Sequence, residues 1–203
     1  MPWLQQSEPT LSGEIWLKLA AYVLLGMLVS FGPQVAAQTY SVIHDFTGCG
    51  DGDTPTSTLI WDRAGNLYGS TELGGVGCGS DSDGVVFQLK HAQSGWTVRP
   101  LQEFVFNEDD LAFPLNYGGL TFGPDGNLYG TTQQGGLPGC GGNTCGAVFR
   151  LQPPPRACTS ALCPWSLSIL HEFNGSDGGF PEGSIIFDAA GNIYGTSEYG
   201  SSA

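Results

Sequence analysis

Short segments that contain several apolar residues recur along most of the chain, separated by turn residues. In the first set, an apolar run at 58–62 leads into a tight turn over Asp62–Asn66, where Gly and Asn tolerate positive φ. The segments Leu67–Glu72, Val85–Lys90 and Trp96–Phe104 follow. Although the alternation in the last segment is imperfect, the pattern predicts four short antiparallel strands in one repeat.

The same order of segments returns once in full and once in part, and is anchored on a Gly-Asn-(Leu/Ile)-Tyr-Gly motif. The copies begin at Gly65, Gly126 and Gly191, which are about 60 residues apart, a spacing that indicates a repeat architecture. The segment Gly84–Leu89 also matches Gly146–Leu151 in order and in residue type. So many matches in the same order indicate an internal repeat.

The boundaries of the repeats follow from this alignment. The match extends through the last segment, where Trp96–Phe104 corresponds to Trp165–Phe173. Residues 40–46 resemble the end of that segment and are predicted to be the tail strand of an earlier repeat. The repeats are 57–106, 117–173 and 183–203, the last of them partial.

Four antiparallel strands at a fixed period are typical of a β-propeller blade. The predicted fold class is therefore all-β, with propeller-like repeats of four-stranded antiparallel blades over residues 38–203. About two and a half blades are present, whereas a closed ring needs about four or more. We expect an incomplete propeller whose sequence is truncated at its C-terminus.

The N-terminal segment predicts a secretory signal peptide over residues 1–37. An apolar run at 19–31 follows Lys18, and Val35 and Ala37 have the small-residue spacing of a cleavage site. As a helix this run spans roughly 20 Å, which is short of the ~30 Å hydrocarbon core of a bilayer. We expect a secreted or cell-surface protein that is not inserted in the membrane after cleavage.

An uncleaved N-terminal anchor is the alternative interpretation of the same segment. The stretch before Lys18 is long for a signal peptide and carries Glu8 and Glu14.

All six cysteines lie after the predicted cleavage site, and an even number in an exported chain suggests disulfides. Two pairs each bracket a short loop and are expected to close it. Six cysteines permit other pairings, and a zinc site is a further alternative, although no Cys-x-x-Cys pair and no nearby histidine completes one. The candidate disulfides are Cys140 with Cys145, Cys158 with Cys163, and Cys49 with Cys78.

The net charge of −13 narrows the classes of partner that we expect. The chain has only 6 Lys and Arg against 19 Asp and Glu. Nucleic acids and anionic membrane surfaces attract proteins through basic patches, so neither is an expected partner. We interpret the acidity as favouring solubility outside the cell.

A known family resembles this repeat. The residues that carry the resemblance are 170–197, from Leu-His-Glu-Phe to Ile-Tyr-Gly-Thr-Ser, together with Cys-Gly-Ala-Val-Phe-Arg-Leu at 145–151. This combination is similar to the GloVer tandem repeat of bacterial exported proteins, over roughly residues 40–203. The resemblance implies an exported, propeller-like protein of a kind that often ends in a surface-anchoring signal. It carries over no functional residue.

The repeated aromatic residues have two interpretations. Tyr68, Tyr129 and Tyr194 are equivalent, as are Trp96 and Trp165. They form either a binding rim or the packing between repeats, and packing is the more common role for such positions.

His44 and His171 also occupy equivalent positions, where the middle copy has Gln102. Because no serine or cysteine is credibly paired with them, a nucleophilic triad is unsupported and we expect ordinary surface or interface residues.

Acidic residues cluster in the loops, and such oxygen-rich loops suit Ca²⁺. None completes a calcium-loop motif, so we favour solvated turn residues and predict no metal and no cofactor. A carboxylate pair for glycan cleavage would need a distance that linear sequence does not give. The loop acids are Asp51, Asp53, Asp81, Asp83, Glu108, Asp109, Asp110 and Asp177.

These observations favour a non-enzymatic binding or scaffold module at the cell surface. Loops on one propeller face would bind polysaccharide or another surface protein. An extracellular glycan hydrolase or lyase and a purely structural surface repeat are the two alternatives.

Overall fold

The predicted strands of the first two repeats form two four-stranded antiparallel sheets, each in sequence order. The first sheet contains β1 (Ile60–Trp61), β2 (Leu67–Thr71), β3 (Val85–Ala92) and β4 (Gly95–Glu103). The second contains β5 (Thr121–Phe122), β6 (Leu128–Thr132), β9 (Ala147–Gln152) and β10 (Ser166–Glu172). A hairpin of β7 (Pro138–Cys140) and β8 (Asn143–Thr144), which the sequence pattern did not predict, lies between β6 and β9. In the third repeat β11 (Ile186–Phe187) pairs with β12 (Ile193–Tyr194).

The computed structural model describes only part of the chain, and the predicted signal peptide lies almost entirely outside that part. Lys18 and Tyr22 are helical, and no helix of the described residues has the length and apolar character needed to span a bilayer. The chain divides into two parts, Met1–Ser41 and Val42–Ala203. The described residues are 18, 22, 39–75, 84–104, 119–141, 143–155 and 163–200.

The two sheets share one register. Leu67 faces Leu89 and Thr71 faces Val85 in the first sheet, and the second repeats these pairs as Leu128 with Leu151 and Thr132 with Ala147. Because side chains alternate between faces along a strand, the same register sends equivalent side chains to the same face in each repeat.

The main hydrophobic core lies between the two sheets and draws on both. Phe149 of β9 is fully buried, and its ring centroid lies 5.7 Å from that of Phe104, which follows β4 of the preceding repeat. The buried members of this cluster are Tyr68, Val86, Leu101, Phe104, Leu120, Leu128, Phe149 and Leu151.

The opposite face of the first sheet is covered in an equivalent way. Leu67, Val85, Phe87 and Leu89 form a second cluster, and the ring of Phe46 lies 5.0 Å from that of Phe87. Phe46 therefore takes the place on the first sheet that Phe104 takes on the second.

The sequence predicts that residues 40–46 form a tail strand, and this prediction is wrong for the backbone. These residues form no strand, although Phe46 makes the contact expected of a tail. In each complete repeat the last strand pairs with the third strand of its own sheet, and no such strand is available to 40–46 among the described residues.

The first strands of the three repeats come together. A Cβ atom added at Gly119 would lie 3.4 Å from both Thr58 and Ser184, its two repeat equivalents, and the Thr121 hydroxyl donates a hydrogen bond of 2.8 Å to the Ile185 carbonyl. The all-β class with four-stranded antiparallel sheets is confirmed. The described residues contain no closed ring of sheets, so the propeller arrangement stays a prediction.

The close approach of Phe149 to β6 gives a first test. We expect Gly130→Ala to lower the free energy of unfolding by about 1–3 kcal/mol, because a Cβ atom there would lie 2.6 Å from the Phe149 ring. Chemical denaturation followed by tryptophan fluorescence measures the change.

Gly195→Ala at the equivalent position of the third repeat is the matched control. The added Cβ atom would contact Ile185 at an ordinary 3.4 Å, so stability should change by no more than about 0.5 kcal/mol. Equal losses in the two variants would contradict this assignment of the core.

Candidate functional site

The turn between the first two strands of each repeat is closed by one carboxylate. In the first repeat Asp62 Oδ1 accepts hydrogen bonds from the backbone N–H of Ala64 (2.8 Å) and of Asn66 (2.9 Å). Its Oδ2 accepts from Asn66 Nδ2 (2.6 Å) and from the Tyr68 hydroxyl (3.0 Å). We call this arrangement the Asp–Asn–Tyr clamp.

The third repeat contains the same clamp, built on Asp188. The carboxylate accepts hydrogen bonds from Asn192 Nδ2 (2.7 Å) and from the Tyr194 hydroxyl (3.1 Å). Gly191 has a φ of 87° in the turn, as Gly65 does at 84° in the first repeat, so glycine is needed at this point of the motif.

In the second repeat the acidic residue has moved along the chain, but the clamp is kept. The position equivalent to Asp62 is Gly123, and Asp125 accepts hydrogen bonds from Asn127 Nδ2 (2.6 Å) and from the Tyr129 hydroxyl (2.8 Å). A Cβ atom added at Gly123 would meet the Tyr129 ring first and would lie 2.7 Å from Asp125 Oδ1. The Tyr129 ring and the Asp125 carboxylate together fill the space that a side chain at 123 would take.

The clamp keeps its carboxylate charged and its phenol neutral. Burial alone would raise the pKa of Asp62, but hydrogen bonds from Asn66, Tyr68 and Ala64 together outweigh burial and lower it below 3.8. Burial, and then the hydrogen bond and charge of Asp62, raise the pKa of Tyr68 to about 12. Neither group titrates near neutral pH, so the pair has a structural role and is not suited to proton transfer.

The clamp also orients its tyrosine ring towards the next repeat. The ring of Tyr68 lies edge-on to Phe122 at 5.3 Å and to Trp165 at 6.3 Å. Tyr129 contacts Phe187 in the same way at 4.9 Å. Tyr68 and Tyr129 are buried, whereas Tyr194 is 54% exposed, so the first two serve the packing role that the sequence analysis favoured.

The first repeat carries aromatic residues that no preceding sheet covers among the described residues. Trp61 is 61% exposed, and its ring lies 6.3 Å from that of Trp96, which contacts His91 at 4.9 Å. Trp165, the equivalent of Trp96, is packed against the main core. The two tryptophans therefore have different environments despite their equivalence in sequence.

The two equivalent histidines each pair with a loop aspartate, and linear spacing did not reveal these pairs. His44 Nε2 lies 3.0 Å from Asp51 Oδ2, and His171 Nε2 lies 3.0 Å from Asp177 Oδ2. Burial would raise the pKa of Asp51, but hydrogen bonds from Thr47 and then His44 outweigh it and lower it. Each aspartate also closes its own loop, so both pairs stabilise the connection between repeats.

The disulfide between Cys140 and Cys145 is present, as predicted. It lies at the end of the β7–β8 hairpin, where the N–H of Phe180 donates a hydrogen bond of 2.8 Å to the Cys145 carbonyl. Cys49 and Cys163 are also disulfide-bonded. Their predicted partners, Cys78 and Cys158, lie outside the described residues, so those two pairings stay predictions.

The loop acids do not gather into a metal site in the described part of the chain. No group of three or more His, Cys, Asp or Glu side chains is placed there to hold an ion. Asp51, Asp53 and Asp177 lie in loops, as predicted. The acids that lie outside the described residues are Asp81, Asp83, Glu108, Asp109 and Asp110.

Two cavities lie between neighbouring repeats. The inter-repeat cavity of the third repeat, about 460 Å³, lies between the second sheet and the β11–β12 pair. The turn cavity, about 620 Å³, lies between the clamp turns of the first and second repeats. Its lining residues are Trp61, Asp62, Arg63, Phe122, Gly123, Pro124, Asp125 and Gly126.

Comparison with known proteins identifies one family. Residues 25–203 match the family described as the Gloeobacter/Verrucomicrobia repeat, which confirms the resemblance to the GloVer repeat. No curated protein and no solved structure matches the chain.

The buried clamp of the second repeat allows a direct test. Asp125→Ala should lower the free energy of unfolding by about 1–3 kcal/mol, because it leaves Asn127 and Tyr129 without their acceptor. Asp188→Ala is the matched control and should lower the free energy of unfolding less, because Tyr129 is buried whereas its equivalent Tyr194 is 54% exposed. Urea denaturation compares the variants, and equal losses in the two would contradict a role for the clamp in packing between repeats.

The clamps also predict an acid-sensitive stability. The pKa values of Asp62, Asp125 and Asp188 lie below 3.8 in the folded protein, so their stabilisation is complete above the unfolded pKa. It is lost as the pH falls through the lower folded values. Unfolding free energies between about pH 6 and pH 2.5 should therefore fall with acid, and less steeply for Asp125→Ala. Parallel curves for the two proteins would contradict this role for Asp125.

Proposed function

Because the chain belongs to the Gloeobacter/Verrucomicrobia repeat family, we propose that it is an exported repeat protein that binds polysaccharide without cleaving it. The observation that carries this proposal is the turn cavity. Its volume of about 620 Å³ falls in the range of small-molecule sites, which are typically lined by aromatic side chains with a few polar groups. Trp61 and Phe122 supply the aromatic walls, and Arg63 supplies a charged donor.

The exposure of Trp61 supports a ligand-binding role. At 61% exposed it is the large apolar side chain of the cavity that is open to solvent, and an indole ring offers both an apolar face and an N–H donor. A sugar ring stacked on Trp61 would lie in the cavity that Arg63 also lines, and the guanidinium could donate hydrogen bonds to its hydroxyl groups.

The carboxylates of the turn cavity support binding over cleavage. A glycosidase of the common kind needs a carboxylic acid with a raised pKa beside an ionised one. Hydrogen bonds within the clamps lower the pKa of both Asp62 and Asp125, although burial acts in the opposite direction. Both groups are thereby held in the ionised form, which does not donate a proton to a leaving group.

Export and a propeller-like arrangement are part of the same proposal. The disulfide-bonded state of Cys49, Cys140, Cys145 and Cys163 fits an oxidising compartment. The meeting of equivalent residues Thr58, Gly119 and Ser184 fits inner strands grouped around a common axis. N-terminal sequencing of the exported protein would begin at Gln38 if the signal peptide is cleaved as proposed.

A glycan array probed with the full chain tests the proposed activity. We expect retention of one glycan class, with intact glycans recovered after incubation. Trp61→Ala should weaken binding at least about tenfold. Tyr40→Ala is the matched control, since Tyr40 is 91% exposed and is not among the residues of the turn cavity; its binding should be unchanged.

The contrary outcomes separate the alternatives. Release of shortened glycans would favour the hydrolase or lyase, and an array without any retained glycan would favour a purely structural repeat. Equal losses of glycan binding for Trp61→Ala and Tyr40→Ala would show that the turn cavity is not the binding site.

A further inference from the structure

The loop that follows β10 contains the sequence Asn174-Gly175-Ser176. Asparagine, then any residue except proline, then serine or threonine is the acceptor sequence for N-linked glycosylation, and it lies in surface loops of secreted proteins. Asn174 and Ser176 are both exposed. Because a three-residue motif also occurs by chance, the surroundings of the asparagine decide whether it can act as an acceptor.

The atom that would be modified, Asn174 Nδ2, donates no hydrogen bond within the part of the chain that the structure describes. The hydrogen bonds of this residue involve its backbone N–H and its Oδ1. The asparagines of the three clamps differ, since Asn66, Asn127 and Asn192 each donate Nδ2 to an aspartate at 2.6–2.7 Å. Asn174 therefore has a side-chain nitrogen that no structural hydrogen bond occupies.

Asn143 at the start of β8 is the useful contrast. It is also exposed, but the residue two places further on is Cys145, whose sulfur forms the disulfide with Cys140. Asn143 consequently has no serine or threonine hydroxyl at the position that the acceptor sequence requires. Among the described asparagines, Asn174 alone combines a free Nδ2 with such a hydroxyl.

Ser176 contacts the oxygen of the same amide. Asn174 Oδ1 accepts hydrogen bonds from the Ser176 N–H at 2.9 Å and from the Ser176 hydroxyl at 2.6 Å. An amide nitrogen is a poor nucleophile, because its lone pair is delocalised onto the oxygen. Hydrogen bonds donated to Oδ1 polarise the amide and make a proton on Nδ2 easier to remove. The hydroxyl that the acceptor sequence requires is thus already placed to activate the amide.

The backbone of this loop is held in place while the Asn174 side chain stays exposed. The Asn174 N–H donates to Asp177 Oδ1 at 3.0 Å, and the other oxygen of Asp177 lies 3.0 Å from His171 Nε2. The Asn174 carbonyl lies close against Gly139 of the β7–β8 hairpin. A glycan on Nδ2 would therefore displace none of the described hydrogen bonds that shape the loop.

Exposure at this position recurs in the other loop of the same kind. Thr47 follows Phe46 as Asn174 follows Phe173, and Thr47 is also exposed although the complete first repeat comes after it. Exposure is therefore a property of the loop that leads into a repeat, and it does not depend on what packs around the third repeat.

We propose that Asn174 is a site of N-linked glycosylation whose donor is an oligosaccharide carried on a lipid pyrophosphate. In the transfer a bond forms between Asn174 Nδ2 and the first carbon of the oligosaccharide, and the bond from that carbon to the phosphate oxygen breaks. The lipid pyrophosphate leaves with the electron pair, and Nδ2 loses one proton to a base of the transferase. The inference rests on the export proposed above, since the transferase modifies exported chains.

Transfer in vitro tests the acceptor site directly. The purified full chain is incubated with a bacterial oligosaccharyltransferase and a lipid-pyrophosphate-linked oligosaccharide, and its peptides are mapped by mass spectrometry. We expect a glycan on Asn174 and none on Asn143. Ser176→Ala should lower the initial rate of transfer at least about tenfold, whereas Ser176→Thr keeps the hydroxyl and should retain transfer.

Two controls separate the acceptor role from an effect on folding. Because Ser176 is exposed, Ser176→Ala should unfold at the same urea concentration as the unmodified sequence. A synthetic peptide of residues 170–180 reports whether the transferase accepts the sequence outside the fold.

Three results would overturn the inference: a folded chain that is not glycosylated, equal rates for the chain and for Ser176→Ala, or conversion of Asn174 to aspartate in place of glycan transfer. In the first case the peptide shows whether the fold or the sequence prevents transfer. Failure of the proposed export has a different signature, because it is seen as an expressed chain that does not begin at Gln38, whatever the result of transfer in vitro.

Discussion

The structure depends on an aromatic ring that each complete repeat holds between its own second strand and the end of the preceding repeat. Phe149 lies over Gly130 and against Phe104, and Phe87 lies over Gly69 and against Phe46. A single four-stranded sheet has no partner of its own for these rings. Each repeat therefore buries its core only against a neighbour, which is the general property of stacked repeat proteins.

The Asp–Asn–Tyr clamp links this packing to a local turn. The hydrogen bonds that close the turn also fix the tyrosine hydroxyl, and the ring of that tyrosine contacts the first strand of the next repeat. In the second repeat the carboxylate comes from Asp125 and the position of Asp62 is taken by Gly123. The repeat thus preserves the location of a charge in space and tolerates a change in its place along the chain.

Much of the fold could be predicted from the sequence, because short segments rich in apolar residues are bounded by Gly and Asn turns and the repeats confirm one another. The prediction failed where partners distant in sequence decide the outcome. Residues 40–46 have strand-like residues but no described strand to pair with.

The site residues were harder to predict for the same reason. The pairs of His44 with Asp51 and His171 with Asp177 join residue types that were each noted but have no spacing rule. A linear alignment that pairs Gly123 with Asp62 hides the second clamp. The two cavities form between repeats, and a reading of one repeat at a time does not show them.

A double-mutant cycle on Phe104 and Phe149 tests the central claim most directly, since the two rings belong to different repeats. The free energies of unfolding of Phe104→Ala, Phe149→Ala and the double variant give their interaction energy. If repeats are stable only through the shared ring, that energy is at least about 1 kcal/mol. Losses that add to within about 0.5 kcal/mol would contradict the account, because the repeats would then bury their cores independently.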